Sequence, residues 1–142
     1  MMTIELIQDE IIDEFSMFDD WMQRYEYMID LGKSLPLIEE QNKTDDRVIK
    51  GCQSKVWLDA ELKGDKMVFS ADSDAIITKG IIAILIRTFN NQTPTAILNS
   101  NTDFIDQIGL KEHLSATRAN GLTSMIKKLK LYATAYQAKL NS

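Results

Sequence analysis

The segment Arg47-Val48-Ile49-Lys50-Gly51-Cys52-Gln53-Ser54-Lys55-Val56-Trp57 carries the only cysteine among 142 residues. A thiol can attack an electrophilic sulfur, form a redox adduct or ligate a metal, and each chemistry needs it accessible. Cys52 follows a glycine and lies between two apolar runs, Val48-Ile49 and Val56-Trp57-Leu58. That pattern places it on a turn between two strands, where Gly51 permits a tight backbone. A lone cysteine serves either as a small buried hydrophobe or as a nucleophile; a turn on a rigid scaffold favours chemistry, and the residue types alone leave both readings open.

Two other stretches carry polar groups in distinctive order: Asp72-Ser73-Asp74-Ala75 with Lys79-Gly80 beyond it, and Arg118-Ala119-Asn120-Gly121-Leu122. Asp74 is expected first as a helix N-cap, Asn120-Gly121 as a turn, and Gln53 and Ser54 as groups that fix the backbone of the cysteine turn. Around Cys52, Arg47, Lys50 and Lys55 favour the thiolate, while Asp45, Asp46 and Asp59 oppose it. The single histidine, His113, has no companion at a metal-ligand spacing and reads as a surface residue. A zinc or iron–sulfur site needs three or four converging ligands, and a two-cysteine peroxidase cycle needs a resolving thiol; one cysteine supplies neither.

The elements that must position these groups follow from periodicity. Ile4, Ile7, Ile11 and Phe15 share one helical face, and Phe18, Trp21, Met22, Tyr25, Met28 and Ile29 another. Ser16 is expected to cap this second helix and Gly32 to end it. Val56, Leu58, Ala60 and Leu62 alternate with polar partners, Gly64-Asp65 signals a hairpin, and Lys66 to Ala71 returns. With a short strand near Val48 this predicts a meander of about three strands. Ala75 to Phe89 is apolar on most sides and predicts a buried central helix, with Gly80 at a close contact against the sheet or the cysteine loop. Short helices are expected from Thr93-Pro94 and from Asp103 to Ile108. A final amphipathic helix is expected from Leu122 through Met125, Ile126, Leu129, Ala133 and Tyr136 to Leu140. The order predicts an α+β fold, a small antiparallel sheet packed against several helices, in a single domain over residues 1–142.

Apolar residues make up 44% and charged residues 26%, with a net charge of −5 and no basic run. Nucleic acid and membrane are therefore not expected as partners. The acidic N-terminus lacks the basic region and apolar core of a signal peptide. One cysteine cannot close an internal disulfide, so a cytoplasmic setting is expected.

The words Gly51-Cys52-Gln53-Ser54-x-Val56-Trp57, Asp72-Ser73-Asp74-Ala75 with Lys79-Gly80, and Arg118-Ala119-Asn120-Gly121-Leu122, with Leu35-Pro36 before them, occur in the order of the SufE-type sulfur-acceptor family, and the chain resembles it along essentially its whole length. Ala116 and Thr117 stand where that family's pattern has a proline and a serine. The resemblance implies a partner of cysteine desulfurases in iron–sulfur cluster assembly, with Cys52 as the acceptor that becomes a persulfide. It implies Gly51 as the hinge of a sheltering loop, with Gln53, Ser54, Asp74 and Arg118 as loop or partner contacts. The pyridoxal phosphate it implies belongs to the desulfurase, so this chain is expected to need no cofactor or metal of its own. Downstream, it implies an iron–sulfur scaffold or another sulfur acceptor, served by a monomer or homodimer. An adaptor that activates a desulfurase, with the cysteine incidental, is the competing expectation.

Overall fold

Thr3 starts the first helix: its hydroxyl accepts the Leu6 N–H at 3.2 Å, and α1 runs Ile4–Ser16 with Ile4, Ile11 and Phe15 buried. The computed structural model describes residues 2–52 and 54–141. Ser16, expected to cap the next helix, instead closes this one, donating to the Asp13 carbonyl. The cap of α2 (Trp21–Lys33) is Asp20, which accepts the Gln23 N–H at 2.8 Å. Carboxylates are strong caps because they satisfy orphan N–H groups and oppose the positive helix end.

Two short 3-10 turns, Glu40–Asn42 and Asp45–Arg47, lead into the cysteine loop. Strands β1 (Val56–Lys63) and β2 (Lys66–Ser73) form an antiparallel hairpin with Val56 opposite Ser73 and Lys63 opposite Lys66. Gly64 turns the chain with φ of 67°. After it come α3 (Ile76–Phe89), α4 (Pro94–Asn99), α5 (Asp103–Gln107), α6 (Leu110–His113) and α7 (Ala116–Leu140). The α+β expectation holds. Among the described residues no helix is long and apolar enough to cross a membrane.

Among the described residues the sheet has two strands, not about three. Val48 makes only an isolated bridge to Trp57, with the Ile49 N–H donating to the Val56 carbonyl at 2.8 Å. The rest of that edge is taken by α7: Tyr132 donates to the Leu58 carbonyl and Tyr136 to the Ala60 carbonyl, each at 2.8 Å. Two phenol hydroxyls thus do what a third strand's N–H groups would do. The outer edge of β2 is covered likewise, by the Pro36 carbonyl, the Ile38 N–H, the Asn90 side chain and the backbone of Asn91 and Gln92. Covered edges leave no template for pairing with another chain.

Helix α3 lies at the centre, buried from Gly80 through Ile86, as its apolar sequence predicts. The close contact of Gly80 is with α2, not with the sheet or the cysteine loop. A Cβ on Gly80 would fall 2.4 Å from the Met28 carbonyl oxygen, and one on Gly32 would fall 3.1 Å from the Gly80 nitrogen. Gly32 therefore sits inside α2, where the helices cross backbone to backbone, and Ser34 forms the cap. Arg87 ties α3 to α1 through Glu10 at 2.8 Å and Glu14 at 2.5 Å.

Candidate functional site

Gly51 adopts φ of +91°, a conformation that side chains other than glycine rarely take. A Cβ there would also meet the Ser124 hydroxyl at 2.7 Å. The loop is thus pressed against α7, and the turn delivers Cys52 inward. The thiol is half-buried and directs its S–H toward the Gly121 carbonyl at 3.7 Å. Glycine at 121 eases this approach, since a Cβ would stand 3.2 Å from Sγ, closer than an ordinary contact. Asn120-Gly121, expected as a turn, accordingly belongs to α7, which starts at Ala116 under a Ser115 cap rather than at Leu122.

Arg118, 66 positions beyond Cys52 in sequence, joins it on a shared cavity. Its N–H bonds the Ser115 cap at 3.2 Å, which fixes the first turn of α7. Arg118, Gly121, Thr78, Ile81 and Met125 line a cavity of about 10 Å³ behind Cys52. Beside the loop a second hollow, a groove of about 430 Å³, is lined by Val48, Lys50, Ser124, Lys127 and Leu131 among others. Ser54 sits at the bend into β1. Gln53 lies outside the described residues.

Asp74 is not a helix cap. Ala75 occupies the cap position of α3 without a side-chain bond, and the Ala75 N–H bonds the Ser73 hydroxyl instead. The Asp74 carboxylate accepts the Lys55 N–H at 3.1 Å, and its own N–H donates to the Lys55 carbonyl at 3.3 Å. Ser73 also donates to the Lys55 carbonyl, at 2.9 Å. The end of β2 therefore grips the residue where the cysteine loop rejoins the sheet.

The opposing charges near Cys52 resolve in favour of neither sign. Arg47 pairs with Asp59 at 3.1 Å, and Lys55 lies over the Trp57 ring at 5.9 Å. Lys43 bridges Asp72 at 2.8 Å, and Lys79 reaches the same carboxylate at 3.2 Å. Burial disfavours the charge of Asp72, yet bonds from Lys43, the Ser73 N–H and Lys79 hold its carboxyl below the usual range. What remains for Cys52 is burial, which pushes its thiol up. In the inward position burial favours the neutral thiol over the thiolate.

The geometry brings Cys52, Gly51 and Arg118 into one place and ties Asp74 to the loop's exit. It adds Thr78, Ile81, Ser124 and Met125, which sequence reading missed because each sits within a helical pattern that packing alone explains. Glycine at position 121 of an otherwise regular helical stripe was the available signal. His113 stacks on Trp21 at 3.9 Å, and among the described residues no group of three His, Cys, Asp or Glu converges to hold a metal.

Comparison with known proteins places these features. The family model described as SufE, Fe-S metabolism associated domain, matches residues 9–133. An uncharacterized SufE-like protein of Rhizobium meliloti (strain 1021) is 42% identical over 127 residues, covering 86% of this chain and 91% of its own. A SufE-like protein of Synechocystis sp. is 36% identical over 128 residues, covering 90% of this chain and 80% of its own. The solution structure of a hypothetical protein from Thermus thermophilus superposes with a TM-score of 0.78 at 16% identity, covering 93% of this chain and 96% of that one, and so shares its fold. Both levels of identity and the extent of the match lead to one assignment: the chain belongs to the SufE family, associated with Fe-S metabolism.

Proposed function

We propose that residues 1–142 act as one unit, a cytoplasmic sulfur acceptor that takes a sulfur atom from the persulfide of a cysteine desulfurase onto Cys52. It stimulates that enzyme by clearing its persulfide. It then hands the sulfur to an iron–sulfur scaffold or another acceptor, working as a monomer or homodimer without nucleic acid or membrane. The observation that carries this reading is the inward Cys52 on a loop bent at Gly51 and packed on Gly121. A merely structural cysteine needs no glycine on either side of its contact.

The step is an exchange at sulfur. Deprotonated Cys52 Sγ attacks the outer sulfur of the donor Cys–S–SH. A new S–S bond forms on Cys52, the donor's S–S bond breaks, and its electron pair leaves on the donor thiolate. The proton released from Cys52 balances the one that the donor thiolate takes up, so no oxidant or reductant is consumed. The raised pKa of the inward thiol makes the resting loop a poor nucleophile, and docking must turn it outward to ionise and reach the donor. Gly51 is the pivot, Asp74 the latch at the loop's exit, and Arg118 and the groove lined by Lys50 and Lys127 border the docking face. The chain brings no cofactor of its own, since the pyridoxal phosphate of the reaction sits in the desulfurase.

The test is desulfurase turnover with and without the chain. The wild type accelerates sulfide or alanine release, and Cys52→Ser loses the acceleration while still binding the enzyme. Full stimulation by Cys52→Ser would instead mean an adaptor whose cysteine is incidental.

A further inference from the structure

Charge is unevenly divided between the first helix and the last. Every charged side chain of α1 is acidic: Glu5, Asp9, Glu10, Asp13 and Glu14. Every charged side chain of α7 is basic: Arg118, Lys127, Lys128, Lys130 and Lys139. Helix α1 packs on α3 and α5, whereas α7 sets Gly121 and Ser124 against the cysteine loop. Two basic groups of α7 hold the chain's own backbone: Lys128 donates to the Asp46 carbonyl at 3.1 Å and Lys130 to the Ser100 carbonyl at 3.3 Å. Arg118 and Lys127 do neither. Both are exposed, and among the described residues their side chains have no hydrogen-bond or ion-pair partner. The same holds for Lys50, two residues before Cys52.

These three cations lie at the cysteine loop. Lys50 and Lys127 line the groove of about 430 Å³ beside it, and Arg118 lines the small cavity behind Cys52. The groove is apolar at Val48, Ile49 and Leu131, the last 64% exposed. It also contains two carboxylates, Asp45 and Asp46, of which Asp46 accepts from the Thr44 hydroxyl and lies 4.0 Å from Arg47. Against these two stand Lys50, Arg118, Lys127 and Lys128, so the cysteine face is net positive in a chain of net charge −5. We propose that the groove docks an acidic, apolar-tipped segment of the desulfurase surface, and that the separation of charge between α1 and α7 orients the chain before contact. The inference rests on the desulfurase partnership of the reading above and adds the chemistry of the partner's surface. Carboxylates of the partner meet Lys50, Lys127 and Arg118, and an apolar side chain between them covers Leu131. Facing an acidic surface, the α1 side is repelled and the α7 side attracted, so encounters with the cysteine turned away are disfavoured. Charges this exposed act mainly on the rate of association, and salt screens them.

The experiment follows association of the Cys52→Ser chain with a cysteine desulfurase by stopped flow, at low salt and at about 0.5 M salt, so that binding is read without sulfur transfer. In that background Lys127→Glu is compared with Lys63→Glu, which changes the net charge equally but lies beside the hairpin turn, at the opposite end of β1 from the loop. Both positions are exposed, so both variants melt with the parent. Lys127→Glu associates about fivefold more slowly at low salt, and high salt removes the difference; Lys63→Glu stays within about twofold of the parent. Equal slowing by the two variants overturns the inference, because net charge alone would then account for it. An unchanged rate in Lys127→Glu also overturns it, and if that variant loses a self-association seen by sedimentation of the parent, the occupant of the groove is a second copy. Failure of the wild type to gain sulfur, with the charge pattern intact, removes the carrier reading alone. A desulfurase that never binds the chain removes both.

Discussion

Removing the Asp74 carboxylate is the sharpest way to ask whether the cysteine loop is latched. In Asp74→Ala the bond from the Lys55 N–H, 3.1 Å in the folded chain, is lost. The Lys55 carbonyl keeps its donors, the Asp74 N–H at 3.3 Å and the Ser73 hydroxyl at 2.9 Å. The perturbation is therefore a single solvent-exposed hydrogen bond, about 1 kcal/mol. If that bond exists only with the loop inward, its loss raises the outward population about fivefold. Iodoacetamide reads this, since the thiolate that it alkylates forms more readily when the loop turns the half-buried thiol outward. Asp74→Ala should react about fivefold faster than wild type under native conditions and at the same rate in urea, with a melting temperature lower by at most a few degrees. Equal native rates would refute the latch, and an acceleration matched by a large fall in melting temperature would mean that the whole fold, and not the loop, had loosened.

Two further outcomes follow from the geometry. Gly80→Ala drives a Cβ to within 2.4 Å of the Met28 carbonyl, where backbone must move; the overpacking cost of about 1–3 kcal/mol outweighs the roughly 1 kcal/mol that alanine gains in a helix, so denaturant unfolding should show a net loss. The second concerns pH. Burial raises the folded thiol of Cys52 above its unfolded value, so the stability it contributes is complete below the unfolded pKa and is lost as pH rises through the folded one. Native alkylation should accordingly rise with pH to an inflection above that of the urea-unfolded chain, and an inflection at or below the unfolded one would contradict the burial argument.

Much of the fold was legible because it rests on local signals. The stripe from Ile4 to Phe15, the Gly64-Asp65 hairpin and the apolar run of α3 are each written in consecutive residues, and so is the cysteine turn. What escaped reading depends on partners distant in sequence. Gly32 looked like a helix end and Gly121 like a turn because both lack a side chain, but the reasons lie elsewhere: a crossing with Gly80 in one case and the approach of Cys52 in the other. Asp74 looked like a cap, but its carboxylate accepts the N–H of Lys55, 19 residues earlier. The third strand was displaced by Tyr132 and Tyr136, whose hydroxyls lie more than 70 residues beyond the edge that they cover.

The central claim is that Cys52 receives sulfur, and intact mass spectrometry tests it most directly. The chain and its Cys52→Ser variant are each incubated with a cysteine desulfurase and free cysteine, without reductant. The account predicts that the wild type gains the mass of one sulfur atom, that dithiothreitol removes it, and that the variant gains none. An unchanged wild-type mass in the presence of a desulfurase that it binds, or an equal gain in Cys52→Ser, would contradict it.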